Sequence, residues 1–259
     1  YDYFNMLAAN RYNSFNLVFS HQTYYLAPMF AYFIKVEEHP EVYAVDVNEE
    51  HRNKNYEMLQ FISKLAEKRG IDFILGIWQV RSWKGGEGDW RPKQEGTVRG
   101  ITNENITDYT YRALKKMFKE FEAIKGVQIR VNEESGIAEF MQTDFYTNTF
   151  FKAISKSERP VTLDYRGWRS LWDTTENAIE LCPNMRLSVK YWAEFLGAPY
   201  QPAKISPGYS YADFLKQPLR YDFIYQVWSL GSPRLLLWGD PEYVKRFVHS
   251  LTLGGGNGL

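Results

Sequence analysis

The stretch Val127-Gln128-Ile129-Arg130-Val131-Asn132-Glu133-Glu134-Ser135-Gly136 reads as a β-strand with two chemically different faces. Side chains alternate along a strand, so Gln128, Arg130, Asn132 and Glu134 share one face while Val127, Ile129 and Val131 share the other. A strand buried in an ordinary parallel sheet is apolar on both faces. Here one face grows more polar toward the strand's end and finishes in two carboxylates and a glycine turn. Strand ends of this kind are where (β/α) barrels collect their functional groups.

Working outward, further short apolar runs at 15–20, 72–78, 160–166, 185–192 and 234–238 read as strands. Between them, helical spacing predicts helices over 2–12, 53–69, 107–125, 144–155, 170–181 and 211–230, with Gly70, Gly126 and Gly231 as stops. After His21–Tyr25 an irregular excursion runs to about Glu50, and a loop rich in Gly and Trp follows residue 78. Strand and helix in regular alternation predict a parallel sheet. The expected fold class is α/β, a (β/α)8 TIM-type barrel of which this chain covers six βα units, with two more beyond residue 259. An open doubly wound sheet competes, but no Gly-x-Gly-x-x-Gly or Walker-type loop follows the first strand. Residues 1–259 are expected to form one incomplete catalytic barrel domain of a longer protein, and additional domains of the same polypeptide are expected beside it.

Composition narrows the function. The 31 Lys and Arg balance 31 Asp and Glu, so no global field recruits nucleic acid or an acidic membrane. No apolar run approaches the roughly 18 residues of a membrane span. The single cysteine, Cys182, rules out an internal disulfide and reads as a small buried hydrophobe. Four scattered histidines argue against a metal site, and no cofactor is expected. Aromatics make up 17% of the chain. Most belong to a core, but tryptophans at strand ends can wall a sugar site. The Asn105-Ile106-Thr107 glycosylation tripeptide carries no weight.

If the apolar phase of each strand faces helices, the other phase points into the barrel. That rule nominates Trp78, then Arg130, Asn132 and Glu134, then Asp164 and Arg166. It continues with Lys190, Trp192 and Glu194, and ends with Trp238 and Asp240. Two readings compete for this polar set. One is an internal lattice of mutually satisfied charges. The other is a pocket in which Glu134 and Glu194 transfer protons or attack, while Arg130, Asn132, Asp164, Arg166 and Lys190 bind an anionic or hydroxylated substrate. Paired carboxylates with aromatic walls are what glycosidic bond cleavage requires, and the acid should be the less well paired of the two. Glu133 lies in the opposite phase and stays a lesser catalytic candidate, since a bulge can reverse phase. His21 and Gln22 are candidates for sugar hydroxyls, and Asp89 and Trp90 for a lid. Asp240 reads better as a helix N-cap ahead of Pro241. A non-catalytic carbohydrate-binding barrel is the main alternative, and a lyase or aldolase with Lys190 as Schiff-base nucleophile is a further one.

At these strand ends the chain resembles the bacterial and fungal α-glucuronidases of the (β/α)8 glycoside hydrolase type. The opening helix followed by Arg11-Tyr12-Asn13-Ser14-Phe15-Asn16-Leu17-Val18-Phe19 is similar to that family's first βα unit. The run from Gln128 to Gly136 looks like its Val-Lys-Ala-Asn-Ser-Glu-Gly strand. The resemblance implies that Glu134 is the catalytic acid and Arg130 stands for a substrate-binding lysine, with Arg166 matching an arginine on the next strand. The run Leu187-Ser188-Val189-Lys190-Tyr191-Trp192-Ala193-Glu194 looks like the family's Gln-Ile-Lys-Asn-Gly-Pro-Ile-Asp segment. It implies substrate binding by Lys190 and water activation by Glu194. The sequence departs with Arg at 130, Glu at 194 and Tyr-Trp-Ala in place of Asn-Gly-Pro. The resemblance implies a glycosidase acting with inversion, on a polysaccharide or oligosaccharide that carries acidic sugars. A periplasmic or secreted location is expected, although no signal peptide begins the chain.

Overall fold

Six of the chain's strands lie side by side, all parallel, in one sheet. The computed structural model describes residues 1–19, 27–81, 97–167, 170–190, 214, 219–226, 241–252 and 255–258. In chain order the elements are α1 (Asp2–Ala9), β1 (Ser14–Phe19), β2 (Tyr43–Ala44), α2 (Glu49–Glu67), β3 (Asp72–Ile77) and β4 (Val98–Arg99). Next come α3 (Ile106–Glu120), β5 (Ile124–Arg130), α4 (Glu139–Tyr146), α5 (Lys152–Ser155) and β6 (Thr162–Arg166). The chain continues with α6 (Trp172–Leu181), β7 (Met185–Lys190), β8 (Asp222–Gln226) and α7 (Pro241–Leu251). The sheet order is β1-β3-β5-β6-β7-β8, while β2 and β4 pair antiparallel in the excursion.

Alternation is obeyed along the sheet. Phe73, Leu75 and Ile77, Val127 and Ile129, Leu163 and Tyr165, Leu187 and Val189, and Phe223 and Tyr225 are buried. They join Leu59 and Ala66 of α2, Ala113, Leu114 and Met117 of α3, and Ala178 of α6 in one apolar core. The even-numbered residues face the other way and fall into lateral rows. Gly76, Gln128, Asp164, Arg186 and Asp222 are successive register partners, and so are Arg130, Arg166 and Ser188.

The sheet is curled. Arg186 Nη2 of β7 donates to Ser14 Oγ of β1 at 3.2 Å, although these strands stand four places apart in the sheet. Strands lie about 4.8 Å from their neighbours, so a flat sheet would separate the two by roughly 19 Å. No arginine spans that, so β1 and β7 must face each other across an interior, as in a barrel. Beyond β8, α7 leads to Gly258, which bridges Ile224 in parallel, and Asn257 N donates to Phe223 O at 3.0 Å. The chain after α7 thus returns to the free side of β8 through this isolated bridge.

Two expectations are corrected here. The stretch 211–230 is no helix where it is described, because Asp222–Gln226 is strand. Tyr221, Phe223 and Tyr225 contact one another at two-residue spacing, with ring centroids at 6.5 and 5.0 Å. That spacing fits a pleated strand rather than a helical turn. The expected sixth strand at 234–238 lies outside the described residues. Gly126 is not a helix stop: α3 ends at Glu120, and Gly126 sits inside β5. A Cβ there would lie 2.5 Å from the Thr162 carbonyl oxygen, so close approach to β6 explains the glycine.

The excursion clamps onto α3 by ion pairs. His39 Nε2 meets Asp108 at 2.8 Å and its Nδ1 meets Glu41 at 3.0 Å. Arg112 reaches Glu38 at 2.5 Å, and Lys116 donates to the Lys35 carbonyl at 2.8 Å.

Candidate functional site

At the carboxyl end of the sheet, three strand ends bring inward-phase residues together. Arg130 closes β5, Arg166 closes β6, and the two are register partners. Trp78 follows β3, and both guanidinium groups lie over its ring, Arg130 Cζ at 4.8 Å and Arg166 Cζ at 4.2 Å from the centroid. Such contacts are worth roughly 0.5–2 kcal/mol each. The indole Nε1 donates to Gln128 Oε1 at 2.8 Å. Of the nominated residues, Trp78, Arg130 and Arg166 therefore converge.

Past Arg130 the chain turns. Glu133–Ser135 form a 3-10 turn in which Ser135 N donates to Asn132 O at 2.9 Å. Val80 N donates to Ser135 O at 3.0 Å, stitching the turn to the chain that leaves β3. Gly136 has φ +86°, and a Cβ there would stand 2.5 Å from the Arg81 carbonyl oxygen, so glycine alone fits. Tyr146 anchors the strand end from below by donating its hydroxyl to Arg130 O at 2.5 Å. Burial raises the Tyr146 pKa, which keeps that donor protonated.

This turn brings Glu134 back beside Arg130, and the two form an ion pair. The alternation rule placed Glu134 by strand phase; β5 ends at Arg130, so its position comes from the turn instead. Arg130 is a paired partner for Glu134, whereas the acid was expected to be the less well paired carboxylate. Asn132 lies between them in sequence, 1% exposed. Among the described residues, neither its carbonyl oxygen nor its NH2 group has a hydrogen-bond partner.

One row deeper lies a buried carboxylate with an ion-pair partner. Asp164 pairs with Arg186 at 3.1 Å and is buried with Gln128 and Ser188 around it. This carboxylate and its donors lie in the interior, and a half-buried rim of Trp78 and Glu134 stands above them. Gln128, Arg186, Ser188 and Gln226 were not nominated from the sequence. The first three obey the same alternation and were open to it; Gln226 was hidden by the helical reading of its segment.

His21, Trp192, Glu194 and Trp238 lie outside the described residues, as do Gln22, Asp89, Trp90 and Asp240, and nothing is described of the side chains of Glu133 and Lys190. Cys182 is buried, and desolvation pushes its thiol up to about 12, so it packs rather than reacts. Among the described residues no three His, Cys, Asp or Glu side chains gather as a metal site needs. No described helix is long and apolar enough to cross a membrane.

No family model and no curated protein matches the chain. Solved structures do. One is a GH138 enzyme targeting pectin rhamnogalacturonan II, similar over 99% of this chain at 21% identity and a TM-score of 0.72. The chain spans only 29% of that protein's length. Another is a β-glucosidase from Exiguobacterium marinum, at 10% identity and a TM-score of 0.53, covering 99% of this chain and 76% of the other. The likeness establishes a shared fold, the curled parallel α/β sheet found in these glycoside hydrolases.

Proposed function

We propose that the chain is the barrel portion of a glycoside hydrolase that cleaves a polysaccharide or oligosaccharide at an acidic (uronic) sugar. One observation carries the reading: the buried Asn132 amide, whose oxygen and nitrogen both go unmet among the described residues. Two such groups cost about 2–6 kcal/mol together, a burden that a ligand would relieve. A ligand that satisfies both must accept and donate at once. Sugar hydroxyls do; a lone carboxylate or metal cation does not.

The adjoining cations, Arg130 and Arg166, account for the acidic part of the sugar, and the likeness of fold to glycoside hydrolases supports the reaction class. In this reading Glu134 is the general acid, Glu194 the candidate base carboxylate and Glu133 its reserve, with inversion as the outcome. Lys190, Trp192, His21 and Trp238 complete the sugar site. A sugar carboxylate that takes over Arg130 would release Glu134 from its ion pair to carry the proton. Further domains in the same polypeptide and a periplasmic or secreted location belong to the same reading.

The test is Glu134→Gln assayed on a panel of acidic oligosaccharides, pectic ones included. Turnover should fall about 10²–10⁴-fold, the usual share of a general acid, while calorimetric binding persists. Sugar binding with no turnover in the unmodified protein would instead establish the non-catalytic barrel.

A further inference from the structure

Asp164 sits midway along β6 with its side chain 3% exposed. It accepts from Ser188 Oγ at 2.6 Å, Gln128 Nε2 at 2.9 Å and Arg186 Nη2 at 3.1 Å. A carboxylate only accepts, so each neighbour must turn a proton toward it. Gln128 then has its carbonyl oxygen left for the other side, where Trp78 Nε1–H meets it at 2.8 Å. An indole N–H only donates. The Gln128 amide is thereby held in one of its two flips, by an acceptor at one end and a donor at the other.

The opposite side carries the same polarity. Ser188 gives its proton to Asp164, and its oxygen accepts from Gln226 Nε2 at 3.3 Å. Gln226 Oε1 then accepts from Arg166 Nη2 at 3.4 Å. Both chains start at Asp164 and rejoin at the strand ends, where Arg166 lies over the Trp78 ring. The loop links β3, β5, β6, β7 and β8, and one charge sets its direction throughout.

We infer that Asp164 is a positioning residue. It does not meet the sugar, as its nomination as a substrate-binding group assumed. It sets the orientation of Trp78 through Gln128, and of Arg166 through Ser188 and Gln226. Only the kinetic consequence of this inference rests on the glycosidase reading. Asp164→Asn conserves size but turns one acceptor into a donor, so it can no longer accept from Ser188, Gln128 and Arg186 together. The Gln128 amide then loses its anchor on the Asp164 side and holds the Trp78 indole less firmly.

The experiment follows the Trp78 indole N–H by NMR of the ¹⁵N-labelled full chain, its signal identified by its loss in Trp78→Phe. In Asp164→Asn the signal should move upfield and its proton should exchange with solvent about tenfold faster, as for one lost hydrogen bond. Gln128→Met, which leaves the Asp164–Arg186 pair in place, should reproduce both changes. On an acidic oligosaccharide both variants should raise KM with kcat held. A Trp78 signal that stays put in folded Asp164→Asn overturns the inference. If that variant does not fold, an unmoved signal in Gln128→Met overturns it equally. A fall in kcat at constant KM would also overturn it. A moved signal in a chain with no glycosidase activity sinks the glycosidase reading alone and supports the positioning role.

Discussion

The two faces of β6, at the middle of the sheet, are equally dry and chemically opposite. Leu163 and Tyr165 on one face of β6 are 0% exposed; Asp164 and Arg166 on the other are 2% exposed. Burial alone therefore says nothing about role. What separates the faces is how each group is satisfied. The outer face needs only shape and apolar contact. The inner face must find partners for its polar atoms, and in the middle of the strands the Asp164 carboxylate supplies them for Gln128, Ser188 and Arg186 Nη2, with Arg186 Nε unmet among the described residues. Beyond the end of β5, both polar atoms of the Asn132 amide are likewise left over.

The largest expected effect comes from breaking the inner face at its hub. Asp164→Ala removes the acceptor shared by buried Gln128 and Ser188 and by half-buried Arg186, which should cost about 3–5 kcal/mol in urea-monitored unfolding. Leu163→Ala breaks the outer face and should cost about 2–5 kcal/mol by lost contact and cavity formation. Activity per folded molecule should survive Leu163→Ala. If the aspartate change costs no more than a surface substitution, the inner face is not a network.

Asn132→Leu sharpens the contrast because its sign is reversed. Replacing an unsatisfied amide by an apolar side chain of similar size should stabilise the fold by about 1–2 kcal/mol while abolishing sugar binding. A calorimetric melting temperature that falls, or binding that persists, would show Asn132 to be structural. The smallest effect lies far from the sheet, at the clamp between the excursion and α3. Burial lowers the His39 pKa, but hydrogen bonds to Glu41 and Asp108 outweigh it and the net shift is upward. A raised folded-state pKa stabilises fully below the unfolded value near 6.5 and fades as pH climbs through the folded value. The melting-temperature advantage over His39→Gln should therefore be greatest in mild acid and shrink above neutrality. An advantage that grows with pH would contradict the ion-paired clamp.

Much of this was legible beforehand. Two-phase strands announced themselves wherever polar and branched apolar residues alternated, as from Gln128 to Val131. The β8 strand did not, since five residues around Phe223 and Tyr225 are too few to separate a two-residue period from a helical one. The convergence of Trp78, Arg130 and Arg166 followed from phase alone. The Gln128–Asp164–Ser188 contacts did not, because they depend on register between strands, which no single strand encodes. The meeting of Glu134 with Arg130 depends on a tight turn whose geometry is fixed by Gly136 and the Arg81 backbone.

One bond carries a consequence for how the molecule is made. Arg186 and Ser14 are 172 positions apart in the chain, yet they touch. A nascent chain released as far as α3 has its first strand in hand but nothing to set the bend of the sheet. Assembly of the curve must wait for late synthesis, and long-separation contacts of this kind slow folding. Arg186→Leu should accordingly delay refolding after dilution from denaturant, while leaving helix formation in the earliest milliseconds unaltered.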